Sequence, residues 1–199
     1  MSTLPPSQSF VETDPEVQLR SSSLGARLML AANLTFQFSF LFAYLYLRAN
    51  NFDGGWHPDG VSTPPLGVFV AVVAVTALAF PAAWVASQSA ARDGVGAVRN
   101  GPLVIALVAG LASIGLWVWQ LTHTGWTPDQ GTYVDTSILW FAALAAQVTI
   151  GCFWLLRIVA GNARGTVPAR PSEVRSVAEY LGFVAAWTVG VFLLVQIVT

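Results

Sequence analysis

Charge is scarce in this chain. Only 10% of its 199 residues are charged and 55% are hydrophobic, whereas an ordinary soluble domain carries roughly 25% charged residues. So few charges could not cover a water-exposed surface, which points to a fold surrounded by lipid. Lysine is absent, and all nine basic residues are arginine. The net charge of −1 and the lack of a basic stripe leave no electrostatic footprint for nucleic acid. A single cysteine, Cys152, excludes an internal disulfide and any zinc or iron–sulfur site built on cysteines. Abundant Ala, Val and Gly, with Arg as the only strong base, is a usage found in high-GC bacterial genomes.

What the chain has instead is a series of long uncharged runs. They predict five transmembrane helices at approximately 24–48, 65–91, 102–124, 136–158 and 177–198. Each is long enough for a hydrocarbon core of about 30 Å, which takes about 20 residues at a rise of 1.5 Å. Backbone groups in lipid must bond to one another, so continuous apolar runs become helices, and a barrel would need alternation instead. The expectation is an all-α membrane bundle over residues 24–199, preceded by a polar tail at 1–23 that is disordered or lies on the surface. That tail lacks the basic start and short apolar run of a signal peptide.

The arginines set the orientation. Arg20 and Arg27 precede helix 1, Arg92 and Arg99 separate helices 2 and 3, and Arg157, Arg164, Arg170 and Arg175 separate helices 4 and 5. Alternating helices place all eight on one side and Arg48 alone on the other, while Asp53, Asp59, Asp129 and Asp135 share the Arg48 side. Cytoplasmic loops carry the basic excess, so the N-terminus is expected in the cytoplasm and the C-terminus outside. Trp56, Trp126 and Trp140 are expected at the outer membrane interface, and Trp84 and Trp154 near the inner one.

No Asp, Glu or Lys falls mid-membrane, which argues against a proton relay, a voltage sensor or an ion-coupled transporter within the chain. His57 in a loop and His123 at a helix end are poorly placed for haem or copper and read as solvated or interfacial. The interior polar residues are neutral: Asn33, Thr35, Gln37, Gln120, Gln147 and Thr149. Such groups usually bond across helices, and Asn33 and Gln37, one turn apart, face the same way. Small residues four apart mark close helix contacts on helix 5 (Gly182, Ala186, Gly190), helix 3 (Ala106, Gly110) and helix 4 (Ala142, Ala146). The helix 5 stripe is expected to be the packing seam, with Trp187 turned towards lipid. Cys152 reads as a small buried hydrophobe.

Residues 28–48, LMLAANLTFQFSFLFAYLYLR, resemble the segment that opens the large helix bundle of haem–copper oxidase subunit III. There a carboxylate is followed by a phenylalanine-rich run and a tyrosine. Tyr44 matches the tyrosine, and Asn33 falls at the carboxylate. Gly54-Gly55-Trp56-His57-Pro58-Asp59-Gly60 resembles the family's W-P-P-x-G loop through Trp56, Pro58 and Gly60, and Pro65-Leu66 opens the next helix. Gln120 and His123 stand where the family often has Gln and Glu. Val148 and Gly151 match in helix 4, where Leu144 and Gln147 replace a His-x-x-His pair. Tyr180 and Phe183 match the family's Y-W-H-F-V-D run, whose Trp, His and Asp are replaced by Leu181, Gly182 and Ala185. The resemblance covers residues 24–199 and rests on order and spacing.

It implies a degenerate five-helix member without catalytic residues, cofactor or metal of its own. Such a subunit packs beside a catalytic subunit I that carries haem and copper. It encloses phospholipid in a cleft between its first two helices and the rest, and supports lasting proton uptake by its neighbour. The expected setting is the bacterial plasma membrane. Two alternatives stay open: a subunit or assembly factor of a nitric oxide reductase-type complex, and a stand-alone small transporter, which would want broken helices, with Pro81 as the interior kink candidate.

Overall fold

A computed structural model describes residues 15–51, 55–93, 100–165 and 170–197. It contains five helices: α1 (Pro15–Ala49), α2 (Leu66–Asp93), α3 (Asn100–His123), α4 (Thr132–Arg164) and α5 (Pro171–Ile197). Each is long and apolar enough to cross a membrane. The chain is an all-α, multi-pass membrane protein.

The expected helix centres hold, but several ends extend further. α1 begins at Pro15, inside the stretch expected to be a polar tail, while its membrane-spanning part, Ser23–Ala49, agrees with the expected 24–48. Residues 1–14 of that tail lie outside the described residues, as do Arg99, Asp53 and Gly54. α5 begins at Pro171 rather than near 177. In both helices the proline sits at the first helical position, where its missing N–H costs nothing and its fixed φ favours the helix. These ends are polar, so an apolar run cannot reveal them. α4 closes at Gly165, whose φ of 64° is left-handed and whose N–H bonds to the Asn162 carbonyl, a conformation that glycine enters without a Cβ penalty. α2 runs unbroken past Pro81.

Helices α2, α3, α4 and α5 form a ring of neighbours in which α2 packs most extensively, against α5 and α3. α1 lies outside the ring against α4 and α5. The cleft expected between the first two helices and the rest is therefore not formed. α2 belongs to the bundle, and α1 alone stands off.

The core divides by depth. At one end, Ala79, Ala83, Ala86 and Ala90 of α2 meet Leu103 and Ala106 of α3, Leu155 and Ile158 of α4, and Val174, Val177 and Leu181 of α5. These small side chains let α2 approach its neighbours closely. At the other end, Tyr44, Trp56, Phe69, Trp117, Trp126, Tyr133, Trp140 and Phe141 form an aromatic cluster. That each cluster joins the start of some helices to the end of others shows the helices alternating in direction.

The aromatic cluster holds the tryptophans of that end inside the protein. Trp56, Trp126 and Trp140 are buried, and each indole N–H has a partner inside the protein. These are the Tyr44 hydroxyl at 3.4 Å, the Ser62 carbonyl at 3.0 Å and the Gln37 amide oxygen at 2.7 Å. An indole needs one polar partner, and here the fold provides it in place of the headgroup region. Large apolar side chains are instead exposed on the bundle's outside, with Phe153 70% and Phe42 69% exposed, which is the inside-out pattern of a lipid-facing surface.

Candidate functional site

The polar chemistry in the membrane-spanning region gathers where α1 meets α4. Gln37, fully buried, donates from Nε2 to Gln147 Oε1 at 3.0 Å, and its own Oε1 accepts from Trp140 Nε1 at 2.7 Å. Gln147 Nε2 donates to Asn33 Oδ1 at 3.1 Å, and Asn33 Nδ2 donates to the Met29 carbonyl at 3.2 Å. Tyr180 on α5 closes the set, its hydroxyl donating to the Gln147 backbone carbonyl at 3.0 Å. Helical geometry explains the match. Asn33 and Gln37 are one turn apart on α1, and Trp140 and Gln147 are two turns apart on α4, so each pair lies on one face. The two helices run in opposite directions, which sets Gln37 between Trp140 and Gln147.

The positions on which the resemblance rests divide accordingly. Asn33, Gln147 and Tyr180 belong to this network. Gly151 lies beside it, since a Cβ there would sit 3.4 Å from the Tyr180 ring and 2.9 Å from Leu181. Phe183, half-buried, packs beside Tyr180 and Cys152. Tyr44 and Trp56 pair edge-on, with ring centroids 5.1 Å apart. Pro58 reaches Gly131, where a Cβ would lie 3.3 Å from its ring. Gly60 makes a turn at φ 82°, which glycine adopts freely. His123 is exposed, stacked on Trp119 at 4.6 Å, and shares no contact with the network. Gln120 is fully buried on α3, yet neither its amide oxygen nor its nitrogen has a partner.

Two members escaped the sequence reading. Trp140 was expected at the interface, although its two-turn spacing from Gln147 already put both on one face. Tyr180 was matched on resemblance alone, and nothing in the sequence says which carbonyl its hydroxyl reaches.

The other polar residues serve packing or their own helices. Thr35 and Thr149 bond to the carbonyl four residues back. Thr76 and Ser113 join α2 to α3 at 2.6 Å. Cys152 is buried, as expected, with its sulfur 2.5 Å from where a Gly110 Cβ would be. Among the described residues no three His, Cys, Asp or Glu side chains come together. The network is neutral throughout, so it can bond and orient helices but offers no acid or base near neutral pH.

The small-residue stripes need correcting. Gly182 does meet a neighbour, since a Cβ there would lie 2.8 Å from the Phe80 ring of α2. Ala186 and Gly190 are exposed, and a Cβ at Gly190 would meet nothing within 4 Å. Trp187, expected to face lipid, is half-buried and meets Phe38 of α1 edge-on at 5.4 Å. The bulky ring, not the small stripe, joins α5 to α1. Ala142 and Ala146 on α4 are exposed, whereas Ala106 and Gly110 on α3 are buried, so close packing lies on α3.

At the arginine-rich end, Arg157 pairs with Glu173 across α4 and α5, and Asn162 donates to Asn100 Oδ1 at 3.1 Å across α4 and α3. An apolar groove of about 350 Å³, lined by Val75, Leu78, Val104, Ile105 and Val108, opens between α2 and α3.

The sequence matches no protein-family model, and no curated protein matches it significantly.

Proposed function

We propose that this protein is a non-catalytic subunit III-like component of a haem–copper oxidase complex. It sits in the bacterial plasma membrane with its N-terminus in the cytoplasm, beside a catalytic subunit that carries haem and copper. The observation that carries this reading is the contact between Asn33 and Gln147. The resemblance replaces a carboxylate at Asn33 and a histidine at Gln147. Those two positions, 114 residues apart, lie against each other and bond. Two unrelated departures from a family pattern have no reason to meet. The amide pair holds the two helices together without charge. The chain's part is then to pack and, along the apolar α2–α3 groove rather than a cleft behind its first two helices, to hold lipid, and redox chemistry belongs to the partner.

The absence of ionisable groups at mid-membrane depth and the unbroken helices weigh against the stand-alone transporter.

The test is to tag the chain in its native host, purify it in mild detergent and record the optical spectrum of what accompanies it. Stoichiometric haem on a co-purified larger subunit is the expected result. A preparation lacking any haem-bearing partner refutes the proposal.

A further inference from the structure

The orphaned polar atoms are not scattered. Gln120 Oε1 and Nε2, Trp117 Nε1, Ser137 Oγ, Tyr133 Oη, Thr124 Oγ1 and His57 Nε2 are all buried without a hydrogen-bond partner. All lie in the aromatic end of the bundle. Only Glu173 Oε1 falls elsewhere among buried orphans of the described residues, and that oxygen meets Arg157. Other interior polar groups are paired: Gln37 with Gln147, Thr76 with Ser113, and Tyr180 and Thr188 with backbone carbonyls.

The register of α3 and α4 lines the orphans up. Trp117 and Phe141 touch, with ring centroids 5.2 Å apart. Gln120 lies about one turn beyond Trp117, and Ser137 one turn before Phe141, so in antiparallel helices they share a level. Thr124 and Tyr133 lie a further turn towards the loops. There Trp126 covers Tyr133 at 5.8 Å, and His57 rests on the same tyrosine at 4.9 Å. From Thr124 to Trp117 the ladder is about 10 Å long, at a rise of 1.5 Å per residue.

We propose that this ladder is a water-binding file, entering from the loop end and reaching Gln120, Ser137 and Trp117 between α3 and α4. Its walls present donors and acceptors together: an indole that only donates, an amide that does both, three hydroxyls and, at the loop end, the His57 imidazole. No carboxylate or arginine is among them, which disfavours a metal cation or an inorganic anion. Buried polar groups are nearly always satisfied, and where protein does not do so, bound water with two to four polar partners does. This inference does not depend on the oxidase reading.

Radiolytic footprinting of the full chain in nanodiscs tests it, because hydroxyl radicals formed from bound water oxidise adjacent side chains that bulk solvent never reaches. Trp117 and Tyr133 are fully buried; Trp140 and Tyr180, 1% exposed each, are controls whose polar atoms are paired. Trp117 and Tyr133 should be oxidised several-fold faster than the controls, and Ser137→Val should bring Trp117 down to the control rate. Equal rates for all four residues in the unmutated protein overturn the proposal. So does a high-resolution structure in which Gln120 bonds Ser137 directly with no water between them. An unchanged Trp117 rate in a folded Ser137→Val variant overturns it as well.

Discussion

Gln147 is the residue on which α1 most depends. Its amide serves both Gln37 and Asn33, so Gln147→Leu strands a donor on one and an acceptor on the other. A buried polar group left unmade costs about 1–3 kcal/mol, and a loss in that range is expected for Gln147→Leu. Asn33→Leu removes two part-buried bonds, of which only the one to Gln147 crosses between helices, and should cost about 1 kcal/mol or less. Because Asn33 does not ionise, that cost should be the same across pH. Denaturant titration in bicelles checks both, and equal losses for the two variants refute the ranking. Gly110 is a different case. Gly110→Ala gains up to about 1 kcal/mol of helix propensity, but its methyl meets the Cys152 sulfur, and overpacking typically costs about 1–3 kcal/mol. The variant should destabilise the protein, and the same change should become stabilising in a Cys152→Ala background. A double-mutant cycle without coupling places the contact elsewhere. In the α3–α4 loop, hydrogen bonding from the Thr127 side chain holds Asp129 below the ordinary carboxylate range. That contact persists on mild acidification and is lost only as pH falls through the lowered value. An NMR titration showing an ordinary or raised midpoint contradicts it.

Among the elements, α5 shows how composition misleads in a chain rich in alanine and glycine. Spacing made Gly182, Ala186 and Gly190 one seam, yet Gly182 lies against Phe80 of α2 while Ala186 is exposed and a Cβ at Gly190 would meet nothing within 4 Å. Gly182→Leu should therefore lower the stability of the isolated chain by about 1–3 kcal/mol, and Gly190→Leu should not lower it. If Gly190→Leu reduces retention of the chain in a larger complex while the isolated protein stays stable, the exposed half of the stripe meets a partner. Trp187→Ala should loosen α1, because an edge-on aromatic pair contributes about 0.5–1.5 kcal/mol beyond the area it buries. The readout is cysteine accessibility along the α1 face near Phe38, where labelling no faster than in the parent protein refutes the assignment.

For the whole molecule, the alternation of helices brings Arg92, Arg157, Arg164, Arg170 and Arg175 to one end and leaves Arg48 at the other. Under the basic-inside rule, a membrane-impermeant thiol reagent applied to intact cells should label a cysteine placed at Thr127 or Gln130. It should miss one placed at Gly165, and the reverse pattern inverts the proposed orientation. Expressed alone, the chain should purify without colour, and stoichiometric haem or metal retained by the isolated subunit contradicts the proposed division of labour.

Helix number, type and approximate span were legible because each depends on a local quantity, the length of an uncharged run measured against a bilayer. The pairing of Asn33 and Gln37 on one face was legible for the same reason, since helical periodicity fixes which side chains of one helix share a direction. Periodicity does not say which helix stands opposite. It could not tell that Trp140 and Tyr180 complete the Gln37–Gln147 network, that Trp187 rather than Gly190 faces another helix, or that Gln120 and Ser137 are buried without partners. Apolar composition is the same towards lipid as towards a neighbouring helix, so only the tertiary arrangement decides which of two similar faces is inside.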